Sequence, residues 1–169
     1  MADDLHVTVF ADDSRIEALA AYTDSIEELV AVFADANTGD GELLDRRPAP
    51  DAWSVGEVLH HLADAETHQT VRLRSMLVED RPVWSAWDEE AYAASLGYDT
   101  RPAADALTLV LALRHVNSRL LASLSPEQWA RTAVHPSDGE VDVAGWVTIA
   151  SDHLKAHVLQ ARRAVVGMI

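Results

Sequence analysis

No cysteine occurs among the 169 residues. That excludes disulfides, cysteine-ligated zinc, iron–sulfur clusters and a protein thiol acting as nucleophile. Any metal must be held by nitrogen and oxygen. Glycine and proline are scarce, at seven and six, whereas alanine and leucine abound, a balance that favours helices. Basic side chains are also few, 13 against 28 acidic ones, for a formal net charge of −15. Such a surface repels phosphate backbones, and nucleic-acid binding needs a basic footprint, so no nucleic-acid partner is expected. The charge itself reads first as solubility. No apolar run approaches the roughly 18 residues of a membrane span. Met1-Ala2-Asp3-Asp4 has neither a basic start nor an apolar segment, so no signal peptide is expected and the default location is the cytoplasm.

About half of the chain is apolar, 49%, which supplies one core, and the length fits one domain over 1–169 with its body at about 14–165. Residues 1–13 read as a short acidic, partly extended lead. Helix A is expected from Ser14, where Ser14-x-x-Glu17 forms a capping box. Ile16, Leu19, Ile26, Leu29, Val30 and Phe33 give it a helical stripe, and Thr38-Gly39-Asp40-Gly41 ends it. Helix B is expected from Trp53-Ser54, with a second capping box at Ser54 and Glu57, to about Glu79. Residues 81–100 carry Trp84, Trp87, Tyr92 and Tyr98 and read as a lid-like segment with a short helix at about 88–95. Helix C follows Pro102, with Ala106, Leu109, Val110, Leu113, Val116, Leu120 and Leu124 as its apolar face. Ser125-Pro126-Glu127-Gln128 opens a short extra turn, and residues 135–139 read as a loop. Helix D starts after Asp142, an N-cap, and runs to about Val166. Four long helices without a convincing strand imply an all-α four-helix bundle. Its connections are long enough for crossovers.

Chemistry concentrates in histidines. Asp152-His153-Leu154-Lys155-Ala156-His157 places two imidazoles four residues apart, one above the other on a helix. Trp146, Ala150 and Ala161 share their face, which turns the pair toward the core, where polar groups need partners. Two such imidazoles can grip one divalent ion. Three with an open fourth position make a catalytic rather than a closed structural site. For the third, His61 stacks near Val58 and Ala65 at the edge of the apolar stripe, whereas His60 stacks near Gly56, Glu57 and Asp64 and is expected to meet solvent. His68 is a fallback ligand or a surface histidine. His135 is a candidate for a pocket mouth, and His6 and His115 lack supporting context. Glu57 serves either as the capping-box residue, the favoured reading, or as a hydrogen-bond partner of His61. Asp64 and Glu66 either support the ligands or solvate the helix, and Gln160 is placed to contact a bound ligand.

The stretch Trp53-Ser54-Val55-Gly56-Glu57-Val58-Leu59-His60-His61-Leu62-Ala63-Asp64-Ala65-Glu66 resembles the signature of the DinB/YfiT-like superfamily, a tryptophan followed by a helix bearing His-Leu-Ala-Asp-x-Glu. The distal His-x-x-x-His before Gln160-Ala161-Arg162, Tyr98 before an arginine and a proline, and Leu124-Ser125-Pro126-Glu127-Gln128-Trp129 resemble it too. The resemblance covers about 14–165. It implies a four-helix bundle of the DinB/YfiT type with a three-histidine metal site at His61, His153 and His157. It implies a divalent ion, zinc or nickel foremost, and a small-molecule substrate. Family activities include thiol-dependent S-transfer and mycothiol-dependent maleylpyruvate isomerisation. The reading that follows is a metal-dependent S-transferase joining a low-molecular-weight thiol to an electrophile. The alternatives are a metal-dependent hydrolase, or a non-catalytic metal-binding scaffold with Trp84 and Trp87 exposed as an interface. Bundles of this kind commonly pair, which makes a homodimer the partner to look for. Because protons compete for ligating imidazoles, metal affinity is expected to fall below about pH 6.

Overall fold

The computed structural model describes residues 14–168. The acidic lead at 1–13 lies outside the described residues, as does the residue preceding Ser14, so the first capping box is left without a described entry. The elements are α1 (residues 14–23), α2 (Ile26–Ala36), α3 (Glu42–Asp45), α4 (Val55–Val78), α5 (Glu89–Leu96), α6 (Ala103–Ala122), α7 (Pro126–Trp129), β1 (Thr132–His135), β2 (Gly139–Asp142) and α8 (Val143–Val165). No helix among them is long and apolar enough to cross a membrane.

The expected helix A is two helices. Thr23, Asp24 and Ser25 stand together at the break, and such short polar side chains compete for backbone hydrogen bonds. Thr23 Oγ1 donates back to the carbonyls of Leu19 and Ala20. α4 begins as its sequence requires: Ser54 Oγ accepts from Glu57 N–H at 3.2 Å, and Glu57 Oε2 accepts from Ser54 N–H at 2.8 Å. Asp142 caps α8 by accepting from Gly145 N–H at 2.8 Å, and Asp88 caps α5 through Ala91 N–H at 3.0 Å.

Two apolar clusters show how the four rods run. One joins Leu29 and Val32 of α2, Val55 to Leu62 of α4, Ala106 and Val110 of α6, and Leu154 to Ala164 of α8. The other joins Tyr22 of α1, Leu73 and Met76 of α4, Leu121 of α6, and Val143 to Ala150 of α8. The α4 and α6 helices therefore run parallel, while α1–α2 and α8 run the opposite way. Parallel neighbours need a connection that returns the length of the bundle, about 36 Å for the 24 residues of α4. Residues 79–102 make that crossover, and α5 rides on it.

A hairpin, absent from the sequence reading, occupies part of the connection from α6 to α8. β1 and β2 pair antiparallel from Thr132 with Asp142 to His135 with Gly139. Its loop has three residues and closes on Gly139 at φ +74°, the left-handed position such hairpins require. Strands of four residues are too short to show alternation against a helical background. The hairpin anchors the crossover: Trp84 N–H donates to Val134 O at 3.0 Å and Val134 N–H to Pro82 O at 2.8 Å. Trp84 is only 7% exposed, and its indole N–H donates to Ser75 Oγ at 3.0 Å. The interface role suggested for it is ruled out by that burial.

The inward face of α6 also differs from expectation. Leu109 and Val116 point outward, and Ala103, Ala106, Leu107, Val110, Arg114, Asn117 and Leu121 face the core. Arg114 pairs with Glu66 at 2.5 Å and donates to the carbonyls of Tyr22 at 2.8 Å and Ala150 at 2.6 Å. Asn117 donates to Thr70 Oγ1 at 2.7 Å. Glu66 therefore neither solvates α4 nor supports a histidine: it is the anion of a buried ion pair between the two clusters.

Candidate metal centre

His61 lies in the second turn of α4, on its core face. His153 and His157 lie one turn apart on α8, which passes α4 in the opposite sense. The three meet at their Nε2 atoms: His61 Nε2 is 3.1 Å from His153 Nε2 and 3.1 Å from His157 Nε2. All three donor atoms lie within 4.8 Å of one another. Nitrogens bound tetrahedrally to one ion at about 2.0–2.1 Å stand about 3.3 Å apart, so the spacing fits a shared cation.

Proton arithmetic supports the same fit. Gln160 Oε1 is 2.7 Å from His157 Nδ1, and an amide oxygen accepts only. His157 therefore carries its proton on Nδ1 and turns a lone pair on Nε2 inward. His61 Nε2 faces that lone pair and His153 at equal distance, and one N–H satisfies only one of them. Extra protons do not relieve the crowding. Burial, and then the neighbouring imidazoles, lower His61 to a pKa of about 3. Burial, then His157 and Arg114, lower His153 to about 4. Burial lowers His157 as well. Three neutral imidazoles with converging lone pairs form a donor set for a divalent metal.

The crossover covers this centre. Trp87 stacks on His61 with ring centroids 5.5 Å apart and planes 10° from parallel. The same indole stacks on His68 at 4.7 Å. Trp53 closes another side at 5.0 Å from the His61 ring. Glu89, in the first turn of α5, brings Oε2 to 4.0 Å from His61 Nε2 and remains exposed on its outer side. Among the described residues it is the carboxylate that comes within 4.0 Å of these donor atoms, and sequence reasoning passed over it. The signal was there only in part: residues 81–100 read as a lid, but no periodicity says which lid residue faces down.

Other histidines fall elsewhere. His60 is buried rather than solvated, with Nε2 donating to Arg101 O at 3.1 Å and its ring stacked on Tyr98. Residues 97–102 cover that face of α4, a long-range contact beyond the reach of helical spacing. His68 is half-buried under Trp87 and contributes no donor to the cluster. His135 faces the cavity beside His153 and holds Asp138 at 2.5 Å. His115 is exposed on α6, and His6 lies outside the described residues. Glu57 is occupied by its cap and by an ion pair with Arg47, so it does not support His61, whose Nδ1 is buried without a partner. Asp64 accepts from the Tyr98 hydroxyl at 2.6 Å. Gln160 meets His157 rather than waiting for a ligand.

Bundle and centre together define a class: a helical protein in which three imidazoles from two antiparallel rods converge under a crossover and could hold a metal ion. The family model of the DinB superfamily matches residues 18–161, and the chain belongs to that family. An Oceanobacillus iheyensis protein named "Putative metal-dependent hydrolase OB0782" is 33% identical over 119 residues, 70% of this chain and 69% of its own. The Bacillus subtilis protein named "Putative metal-dependent hydrolase YfiT" is 26% identical over 155 residues, 89% and 84% of the two chains. A solved structure of Bacillus subtilis YfiT, titled as a probable metal-dependent hydrolase with an unusual four-helix bundle topology, aligns with a TM-score of 0.78 at 20% identity. It covers 89% of this chain and 85% of the other. That likeness bears on the fold.

Proposed function

We propose that this chain is a metal-dependent S-transferase: it holds a divalent ion, zinc or nickel, at His61, His153 and His157 and joins a low-molecular-weight thiol to a small electrophile. The observation that carries the reading is the convergence of three neutral Nε2 atoms beneath the crossover. The ion's contribution would be to lower the pKa of a thiol or water at its open position. Each of the chain's own groups has a definable task. Gln160 holds His157 in the Nδ1–H tautomer. Trp87 and Trp53 shield the His61 imidazole from bulk water. Glu89 Oε2 is placed to take the proton released by the nucleophile. With no cysteine in the chain, the sulfur comes from a co-substrate.

Hydrolysis is the second reading, supported by the names of the relatives and by Glu89, because a carboxylate beside an open metal position equally serves water. Incubating zinc- or nickel-loaded protein with bacterial thiols and monochlorobimane tests the choice. Thiol-dependent bimane conjugation that disappears in His153→Ala is the expected result. Ester or amide cleavage without conjugation across the thiol and metal panel would move the assignment to a hydrolase.

A further inference from the structure

Beside His153 a cavity of about 240 Å³ opens between α4, α8, the crossover at residues 86–89 and the hairpin turn. That volume equals about eight waters at about 30 Å³ each. It suits a compact metabolite and excludes a peptide or a nucleic acid. One end carries His153 and Glu89 and adjoins the metal centre. Toward the other end stand Gln69 and Arg72. Arg72 is three turns beyond His61 along α4, and helical side chains lean toward the N-terminus, hence back toward the histidines.

Both groups are nearly closed off from solvent; Arg72 lacks a counter-ion and Gln69 lacks a donor among the described residues. Arg72 is 8% exposed. Its guanidinium donates to Ser85 O at 2.7 Å and lies 5.6 Å over the Trp84 ring, yet among the described residues no carboxylate pairs with it. Gln69, also 8% exposed, keeps Oε1 buried without a hydrogen-bond partner. A buried cation and a buried acceptor left open on one small cavity are costly unless something arrives to meet them. The surroundings supply no substitute. Asp138 is engaged by His135, and Glu89 sits at the metal end. His68 and His135 also line the cavity, held below their ordinary pKa by burial, with the Arg72 charge pushing the same way. A protein of net charge −15 does not gather anions by its overall field, so this cationic niche acts locally.

We infer that the cavity holds the anionic end of the substrate, a small organic acid whose carboxylate pairs with Arg72 and whose neighbouring N–H or O–H donates to Gln69 Oε1, leaving its reactive end at the three histidines. The guanidinium fork matches a planar carboxylate in two parallel hydrogen bonds. This inference rests on the three-histidine centre being the reactive one, but carboxylate binding can be measured without metal.

The test is an NMR titration of zinc-free, ¹⁵N-labelled protein with N-acetylglycine, which carries a carboxylate and an N–H. Its neutral amide and inorganic phosphate serve as comparisons. N-acetylglycine should shift the Gln69 side-chain amide, Arg72 Nε–H and Trp87 indole signals saturably, binding at least about tenfold more tightly than its neutral amide, since one charged pair supplies about that factor, and more tightly than phosphate, which lacks the N–H for Gln69 Oε1. Arg72→Gln should weaken it about tenfold or more and Gln69→Leu several-fold, with zinc stoichiometry unchanged in both. If Arg72→Gln does not fold, Arg72→Lys carries the test: it keeps the charge, loses the fork, and should bind weakly while still preferring acid over amide. Equal binding of acid and amide, no saturable shift, or undiminished binding by Arg72→Gln would overturn the inference. Shifts that require zinc, vanish in His157→Ala and persist in Arg72→Gln would place the carboxylate on the metal, which sinks the role of Arg72 and spares the metal centre. Carboxylate binding through Arg72 in a protein that takes up no zinc would do the reverse.

Discussion

Two buried polar clusters lie within two turns of one another on α4, and they are built on opposite terms. Glu66, Arg114, Tyr22 and Asn117 pair charge with charge and donor with acceptor: the ion pair is closed at 2.5 Å, two backbone carbonyls accept from the guanidinium, and Asn117 bridges to Thr70, which leaves Arg114 Nε without a partner among the described residues but no charge uncompensated. His61, His153 and His157 do not complete one another. They present lone pair to lone pair, their pKa values are driven down, and His61 Nδ1 has no partner. A cluster satisfied by the chain itself holds helices in register. A cluster of converging lone pairs is a donor set that an outside cation would complete. The contrast distinguishes structural from functional polarity inside one core, where burial alone does not.

Breaking the self-contained cluster should have the largest effect. Arg114→Met leaves Glu66 buried without its partner and is expected to destabilise the protein by about 3–5 kcal/mol, read as a fall in urea midpoint. Replacing both partners with leucine should recover much of that loss, because no orphan charge remains. A double variant as unstable as the single one would mean that the cluster does more than pair charges.

The open cluster should behave in the opposite way. His153→Ala should cut zinc affinity by more than about 100-fold, beyond what loss of an outer partner costs, and leave the melting temperature of zinc-free protein nearly unchanged. His68→Ala should leave zinc binding as it was. Equal losses from the two variants, measured by competition with a chromogenic chelator, would refute the ligand set. Gln160→Leu should cost less, about tenfold in zinc affinity, because it frees the tautomer of His157 without removing a donor.

Acid sharpens the contrast more gently. In the unfolded chain these imidazoles titrate near 6.5, while folded His61 and His153 titrate at about 3 and about 4. Between those limits the unfolded chain binds more protons, so their contribution to stability is complete above about pH 6.5 and is lost as pH falls toward 4. Zinc-free protein should show that slope in urea titrations, and His153→Ala should flatten it. Proton competition for the metal follows the folded values, and burial lowers all three imidazoles, so zinc affinity should persist to lower pH than free imidazoles would allow. That moves the decline below the pH 6 expected from an unperturbed histidine.

Local rules written in the chain determined a good deal. The capping box at Ser54, the turn opened by Ser125-Pro126-Glu127-Gln128, the Asp142 cap and the helical stripes placed α4, α7 and α8 within a residue or two, because such signals act over three or four residues. The i, i+4 spacing of His153 and His157 and the inward face of His61 nominated the three imidazoles, and the resemblance to the DinB/YfiT-like superfamily implied that they share one site. Arg114 and Asn117 were legible as well: they fall on the stripe from Val110 to Leu121, and choosing Leu109 and Val116 instead missed them. Tertiary structure alone decided the rest. His60 is buried because residues 97–102 cross it. Trp84 is buried because a hairpin too short to show alternation pins it. Glu89 and Trp87 cover the centre, and close a cavity over Gln69 and Arg72 beside it, because a crossover returns along the bundle. Those contacts join residues far apart in sequence, and their energies depend on which surfaces meet, which periodicity within one element does not encode.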